Sequence, residues 1–131
     1  MASTTFSGPV TSTNGFIGAV TGNITGNVTG NLIGDVQASV QALSGAGAVN
    51  VTDMFTSLTT TGSSQALTLA DGTAGQIKII THTVDGGSAI LTPTTKIGFS
   101  TITFTAVGDA VTMIYTAAGW AIIGSRGVTI A

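Results

Sequence analysis

The chain has 131 residues, 43% of them hydrophobic and only 6% charged, with a formal net charge of −2. Its three basic residues, Lys78, Lys96 and Arg126, supply no phosphate-neutralising patch, which argues against a nucleic-acid partner. No apolar run reaches the roughly 18 residues of a membrane span, and the absence of cysteine excludes disulfide frameworks and thiolate metal sites.

Residues 1–13 are rich in Ser and Thr, carry the Gly8-Pro9 breaker and lack the basic start and apolar stretch of a secretory signal. They read as an arm, with Phe6 and Val10 as its apolar anchors. Residues 14–41 then form seven tetrapeptides, NGFI-GAVT-GNIT-GNVT-GNLI-GDVQ-ASVQ. The third place is always apolar: Phe16, Val20, Ile24, Val28, Leu32, Val36 and Val40. Four is twice two, so in extended chain these residues share one face with the small residues that open most tetrads, while Asn, Thr and Asp hold much of the other. A helix is rejected, because a glycine in each turn costs about 1 kcal/mol relative to alanine and β-branched residues add to that. Collagen needs period three, and the calcium-binding nonapeptide solenoids need recurring aspartates.

A single tract of this kind would leave its apolar stripe half wet, since such repeats become stable by stacking on neighbours or on copies of themselves. The expectation is a homotrimeric stalk, either a β-helix or a β-spiral, with the seven apolar residues along the trimer axis. Residues 42–48 (ALSGAGA) are small and read as a linker. Residues 49–131 read as a globular all-β head, a small antiparallel sandwich or barrel. Strands are predicted over 49–60, 65–70, 76–84, 89–91, 101–107, 110–116 and 119–124, with a further one at 128–130. The predicted core is Leu67, Leu69, Ile77, Ile79, Leu91, Ile102, Phe104, Val111, Met113, Tyr115, Trp120 and Ile122.

Acids, bases and nucleophiles are sparse. Most of the five aspartates sit beside turn glycines, where capping and turn formation account for them. His82, in Thr-His-Thr, is expected on the surface or at an interface. No catalytic residue, cofactor site or metal site is assigned. The Thr-x-Thr pairs Thr81/Thr83, Thr92/Thr94 and Thr103/Thr105 follow from the β-propensity of threonine.

The GNxT repeat, followed by ALTLADGTAGQIKII (66–80), GGSAILTP (86–93), TITF (101–104) and GWAIIG (119–124), resembles small structural proteins of tailed bacteriophages, particularly those infecting cyanobacteria. The likeness extends to capsid decoration (cement or head-fibre) proteins and to the ends of phage fibres. It implies a trimeric, non-enzymatic virion component. The short chain favours decoration of the outer capsid surface, with the major capsid protein as partner; fibres that reach a receptor are usually much longer. On this reading residues 1–13 dock on the capsid and the head points outward, with the opposite polarity as the alternative. A tail-fibre or receptor- or carbohydrate-binding tip is the competing function, and it calls for exposed aromatics in the loops 85–88 and 94–100, where Phe99 stands. An ice-binding surface would require a longer threonine array.

Overall fold

The computed structural model describes Ser7 and residues 33–131. The chain divides into two compact units, Met1–Gly34 and Asp35–Ala131, and the architecture below is that of the second. Among the described residues there are ten strands and no helix. They are β1 (Val40–Ser44), β2 (Gly47–Val49), β3 (Phe55–Thr59), β4 (Gln65–Leu69), β5 (Ile77–Val84), β6 (Ala89–Pro93), β7 (Ile102–Phe104), β8 (Ala110–Thr116), β9 (Gly119–Arg126) and β10 (Thr129–Ile130).

The strands form two five-stranded sheets, ordered β1-β3-β5-β8-β9 and β10-β7-β6-β4-β2. From β1 to β6 the chain alternates between them, so each strand returns to its sheet one full circuit later and in the same direction. The pairs β1–β3, β3–β5, β2–β4 and β4–β6 are therefore parallel, each crossover being supplied by a strand of the opposite sheet. After β6 the sense reverses: β7 and β8 run antiparallel to β6 and β5, and β9 and β10 run antiparallel to β8 and β7. The result is five two-stranded rungs stacked along one core, three wound alike and two closing them. All-β holds; a purely antiparallel sandwich or barrel does not, because half of the ladder pairs are parallel.

Alternation sets the two faces. In β4 the inward Leu67 and Leu69 alternate with Gln65, Ala66 and Thr68, and in β8 Val111 and Met113 point inward. The shared core joins Val49, Leu67, Leu69, Ala89, Leu91, Ile102 and Phe104 of one sheet to Leu58, Ile80, Val111, Met113 and Trp120 of the other. Stacking in register makes columns of like side chains, such as Leu67 beside Leu91, or Leu58 beside Leu43. Each column excludes water from its neighbours, as in other stacked-repeat cores.

Three expectations are corrected. Residues 42–48 are not a linker: they complete β1, turn at Gly45 and enter β2, so the first rung lies where a boundary was expected. The predicted strand 49–60 is split: Val49 ends β2 and Phe55–Thr59 form β3, because residues 50–53 are held in a loop in which Asn50 Oδ1 accepts the Asp53 amide at 3.0 Å. In β5 the phase is inverted. Ile77 is 39% exposed and Ile79 half-buried, while Lys78, Ile80 and His82 face the interior.

Candidate functional site

The expected functional residues fall into two groups. Phe6, Val10, Phe16, Val20, Ile24, Val28 and Leu32 lie outside the described residues. Val36 and Val40 are described and are 68% and 57% exposed. Val40 opens β1 with its side chain on the outer face, opposite to Gln41 and Leu43, which turn inward.

Inside the body, three polar clusters absorb most of the groups capable of chemistry. The first surrounds Lys78, which is 1% exposed. Its Nζ donates to the Asp53 carbonyl at 2.7 Å. Burial pulls the ammonium down to about 8, partly offset by the charge of Asp53. The Asp53 carboxyl is held below its usual range chiefly by side-chain hydrogen bonds from Asn50 and Ser39, with the Asn50 contact at 2.7 Å. Next to this cluster, Gln41 Oε1 accepts from the Asn50 amide at 3.0 Å and from the Thr56 hydroxyl at 3.1 Å, tying the first rung to the second.

Between the folded value near 8 and the free-lysine value near 10.5, the unfolded chain holds a proton that the folded chain has released. Stability should therefore rise as pH is raised through that window, by on the order of 2 kcal/mol. Chemical denaturation between pH 7.5 and about 10 checks this, and Lys78→Met should flatten the rise. The upper limit is set by Tyr115, whose phenol is raised by burial and then by Asp71. Its ionisation above pH 10 opposes folding.

The second cluster centres on His82, which is fully buried and not, as expected, at a surface. Thr60 Oγ1 donates its one proton to the Gly87 carbonyl at 2.8 Å and accepts from the Gly86 amide at 2.9 Å. Toward His82 Nε2, 2.9 Å away, it therefore acts as acceptor, which places the ring hydrogen on Nε2. Nδ1 is left buried without a partner. Nothing in Thr-His-Thr foretells this, since the tripeptide suits either face of a strand.

The third cluster is Asp109, 6% exposed, whose Oδ2 accepts from the amides of Thr105 at 2.7 Å and Ala106 at 3.0 Å. Burial pushes its carboxyl up, but these amides, the Thr105 hydroxyl and His82 outweigh it and leave it below the usual range. Asp109 also binds β5, its carbonyl accepting the His82 amide at 2.8 Å. Each cluster joins a loop to a neighbouring rung and leaves few groups free to meet a substrate. Among the described residues no concave pocket is present, and no three His, Cys, Asp or Glu side chains converge on a common point. Phe99 packs against the core and so offers little to a glycan.

The chain matches no protein-family model, and no curated protein is significantly similar to it.

What the described surface does present is an apolar face. The outer side of the sheet containing β1 carries Val40, Phe55 and Ile79 in register across β1, β3 and β5. Beside them runs a second row, Ile77, Ile114 and Ala121 across β5, β8 and β9. The opposite sheet shows Ala48, Ala66, Thr68, Ile90, Thr92, Thr103 and Thr129 on its outer side, with Ile90 as the one large apolar residue among them.

Proposed function

We propose that the protein is a homotrimeric, non-enzymatic structural component of a tailed-phage virion, a decoration (cement or head-fibre) protein that binds the outside of the assembled capsid and stabilises it. The observation that carries the self-assembling part of this reading is the exposure of Val36 and Val40, the last two apolar positions of the tetrapeptide tract. Large aliphatic side chains repeated at a fixed period and left half wet in one copy call for neighbouring copies. In this reading the tetrapeptide tract from residue 14 to the start of β1 forms a trimeric β-helix or β-spiral stalk, with Phe16, Val20, Ile24, Val28, Leu32 and Val36 along its axis and Val40 where the stalk meets the body. The virion setting rests on the resemblance of the repeat and head motifs.

A trimer suits a threefold or quasi-threefold junction, where one plug contacts several major capsid subunits and adds buried area at the joints. Binding only to the assembled shell stabilises it by mass action against the pressure of packaged genome. Residues 1–13, through Phe6 and Val10, dock on the capsid.

Deletion of residues 2–12 should abolish co-sedimentation with purified capsids while the variant still sediments as a trimer. Retained capsid binding would overturn the docking assignment. Electron microscopy of particles carrying labelled protein should show label spread over the shell, and label confined to the tail would instead support a fibre.

A further inference from the structure

We propose that the outer face of the sheet containing β1, at the end where β1 begins, is the surface against which a second copy of this chain packs. The inference rests on the self-assembly reading above and deepens it, by assigning part of the contact to the folded body and not to the repeat tract alone.

Three observations support it. First, the face is apolar in two adjacent rows, Val40–Phe55–Ile79 and Ile77–Ile114–Ala121, and neither row contains a charged side chain. Second, these residues are far from dry in one copy: Val40 is 57% and Ile77 39% exposed, and Phe55, Ile79 and Ile114 are only half-buried. The outer side of the opposite sheet has a single large apolar residue, Ile90, among threonines and alanines, and so carries no apolar row.

Third, the face begins where the repeat ends. Val40 is both the apolar residue of the last tetrapeptide and the first residue of β1. Phe55 and Ile79 are its ladder neighbours, one and two strands away, so Ile79 stands about 10 Å from Val40 at ordinary strand spacing. Copies that cover Val36 and Val40 are thereby brought alongside Phe55 and Ile79. A foreign partner on this face would have to begin at the residue where the neighbouring copies leave off. The rows carry no charge by which an acidic or basic partner could be recognised, whereas copies arranged about a shared axis can bring the same apolar row of each chain against its equivalents.

The chain has no cysteine, so single thiols report locally. Full-length Ile77→Cys and Thr92→Cys proteins, the second on the outer side of the opposite sheet, are labelled with a water-soluble maleimide, and their masses are measured by sedimentation at the same concentration. The expected result is a trimer in which Ile77→Cys reacts at least tenfold more slowly than Thr92→Cys. Equal rates in a trimer overturn the face assignment and leave the self-assembly reading standing. Slow labelling of Ile77→Cys in a species that sediments as a monomer places the chain's own N-terminal residues on the face and overturns both. A monomer with equal rates also removes both.

Discussion

Replacing Trp120 with alanine is expected to lower the unfolding free energy by about 3–5 kcal/mol, the range for deleting a fully buried large aromatic. The indole is 0% exposed. Its ring meets Tyr115 edge-on, with centroids 5.1 Å apart and planes at 73°, a geometry that adds to the burial energy. Its Nε1 donates to the Ala70 carbonyl at 2.9 Å, which ties β9 to the end of β4 in the opposite sheet. The Trp120 backbone extends the tie: its amide donates to the Thr95 carbonyl at 3.0 Å, and its carbonyl accepts from Ile97 at 2.9 Å. The side chain thus closes the last rung and joins the two sheets, while the backbone of the same residue anchors the loop after β6. Against a typical total of about 5–15 kcal/mol for a domain, such a loss approaches the whole stability. Trp120→Phe keeps most of the ring but loses the hydrogen bond, and should cost about 1–2 kcal/mol. Urea titrations followed by circular dichroism at one fixed protein concentration measure both, since association would make the midpoint depend on concentration. A loss below about 1 kcal/mol for the alanine variant would mean that the indole does not organise the core.

The strands most legible in the sequence were those with one clean apolar face. β4, β8 and β9 begin where the alternation of Leu67/Leu69, Val111/Met113 and Trp120/Ile122 predicts. β5 misled for a definite reason. Ile77, Ile79 and Ile80 place apolar residues on both faces, so the phase could not be fixed by counting them. The structure resolves it through polar groups: Lys78 can turn inward because the Asp53 carbonyl receives its ammonium, and His82 because Thr60 receives its ring hydrogen. Those partners lie more than twenty residues away and leave no local trace.

The parallel winding was hidden in a different way. Phe55 pairs with Ile79 and Gln65 with Ala89, both offsets being 24 residues. The same offset relates Ala66-Leu67-Thr68 to Ile90-Leu91-Thr92 in the sequence. That weak internal repeat is the local signal of the winding, and the tetrapeptide period before it is much the stronger pattern. At the corner from β1 into β2 the residues Gly45, Ala46, Gly47 and Ala48 read as punctuation because they are small. In a stacked rung small residues serve at a tight corner, as Gly45 does with φ +77°. The candidate surface was partly readable, since Val36 and Val40 were singled out from the repeat. Phe55, Ile77 and Ile79 were not, because their shared outward face depends on the parallel ladder. The buried positions of Lys78 and His82 likewise required the fold.

The corner between β5 and β6 should tolerate substitution least. Residues 85–88 lie directly on the loop between β3 and β4 and continue the stacking of the rungs around the turn. The Gln65 amide donates to the Ser88 carbonyl at 2.9 Å and the Thr60 amide to the Val84 carbonyl at 2.9 Å. A Cβ at Gly87 would stand 2.5 Å from both the carbonyl carbon and oxygen of Gly62 and 2.8 Å from the Ser63 nitrogen. These are backbone atoms of the rung beneath, and they cannot swing aside as a side chain can. With φ at +140°, Gly87 also occupies a conformation that other residues adopt only under strain. Strain of about 1–3 kcal/mol and overpacking of about 1–3 kcal/mol should combine in Gly87→Ala to about 2–6 kcal/mol. Two other glycines separate these contributions. Gly75 has φ +89° and open space around it, so Gly75→Ala should show the strain alone, about 1–2 kcal/mol. Gly124 has neither constraint, and Gly124→Ala should stay within about 0.5 kcal/mol of the parent. If Gly87→Ala proved no more destabilised than Gly75→Ala in matched urea titrations, the two corners would not be in contact. The hydrogen-bonded stacking that runs from Thr60 through Gly86 and Gly87 to His82 would then lose its support.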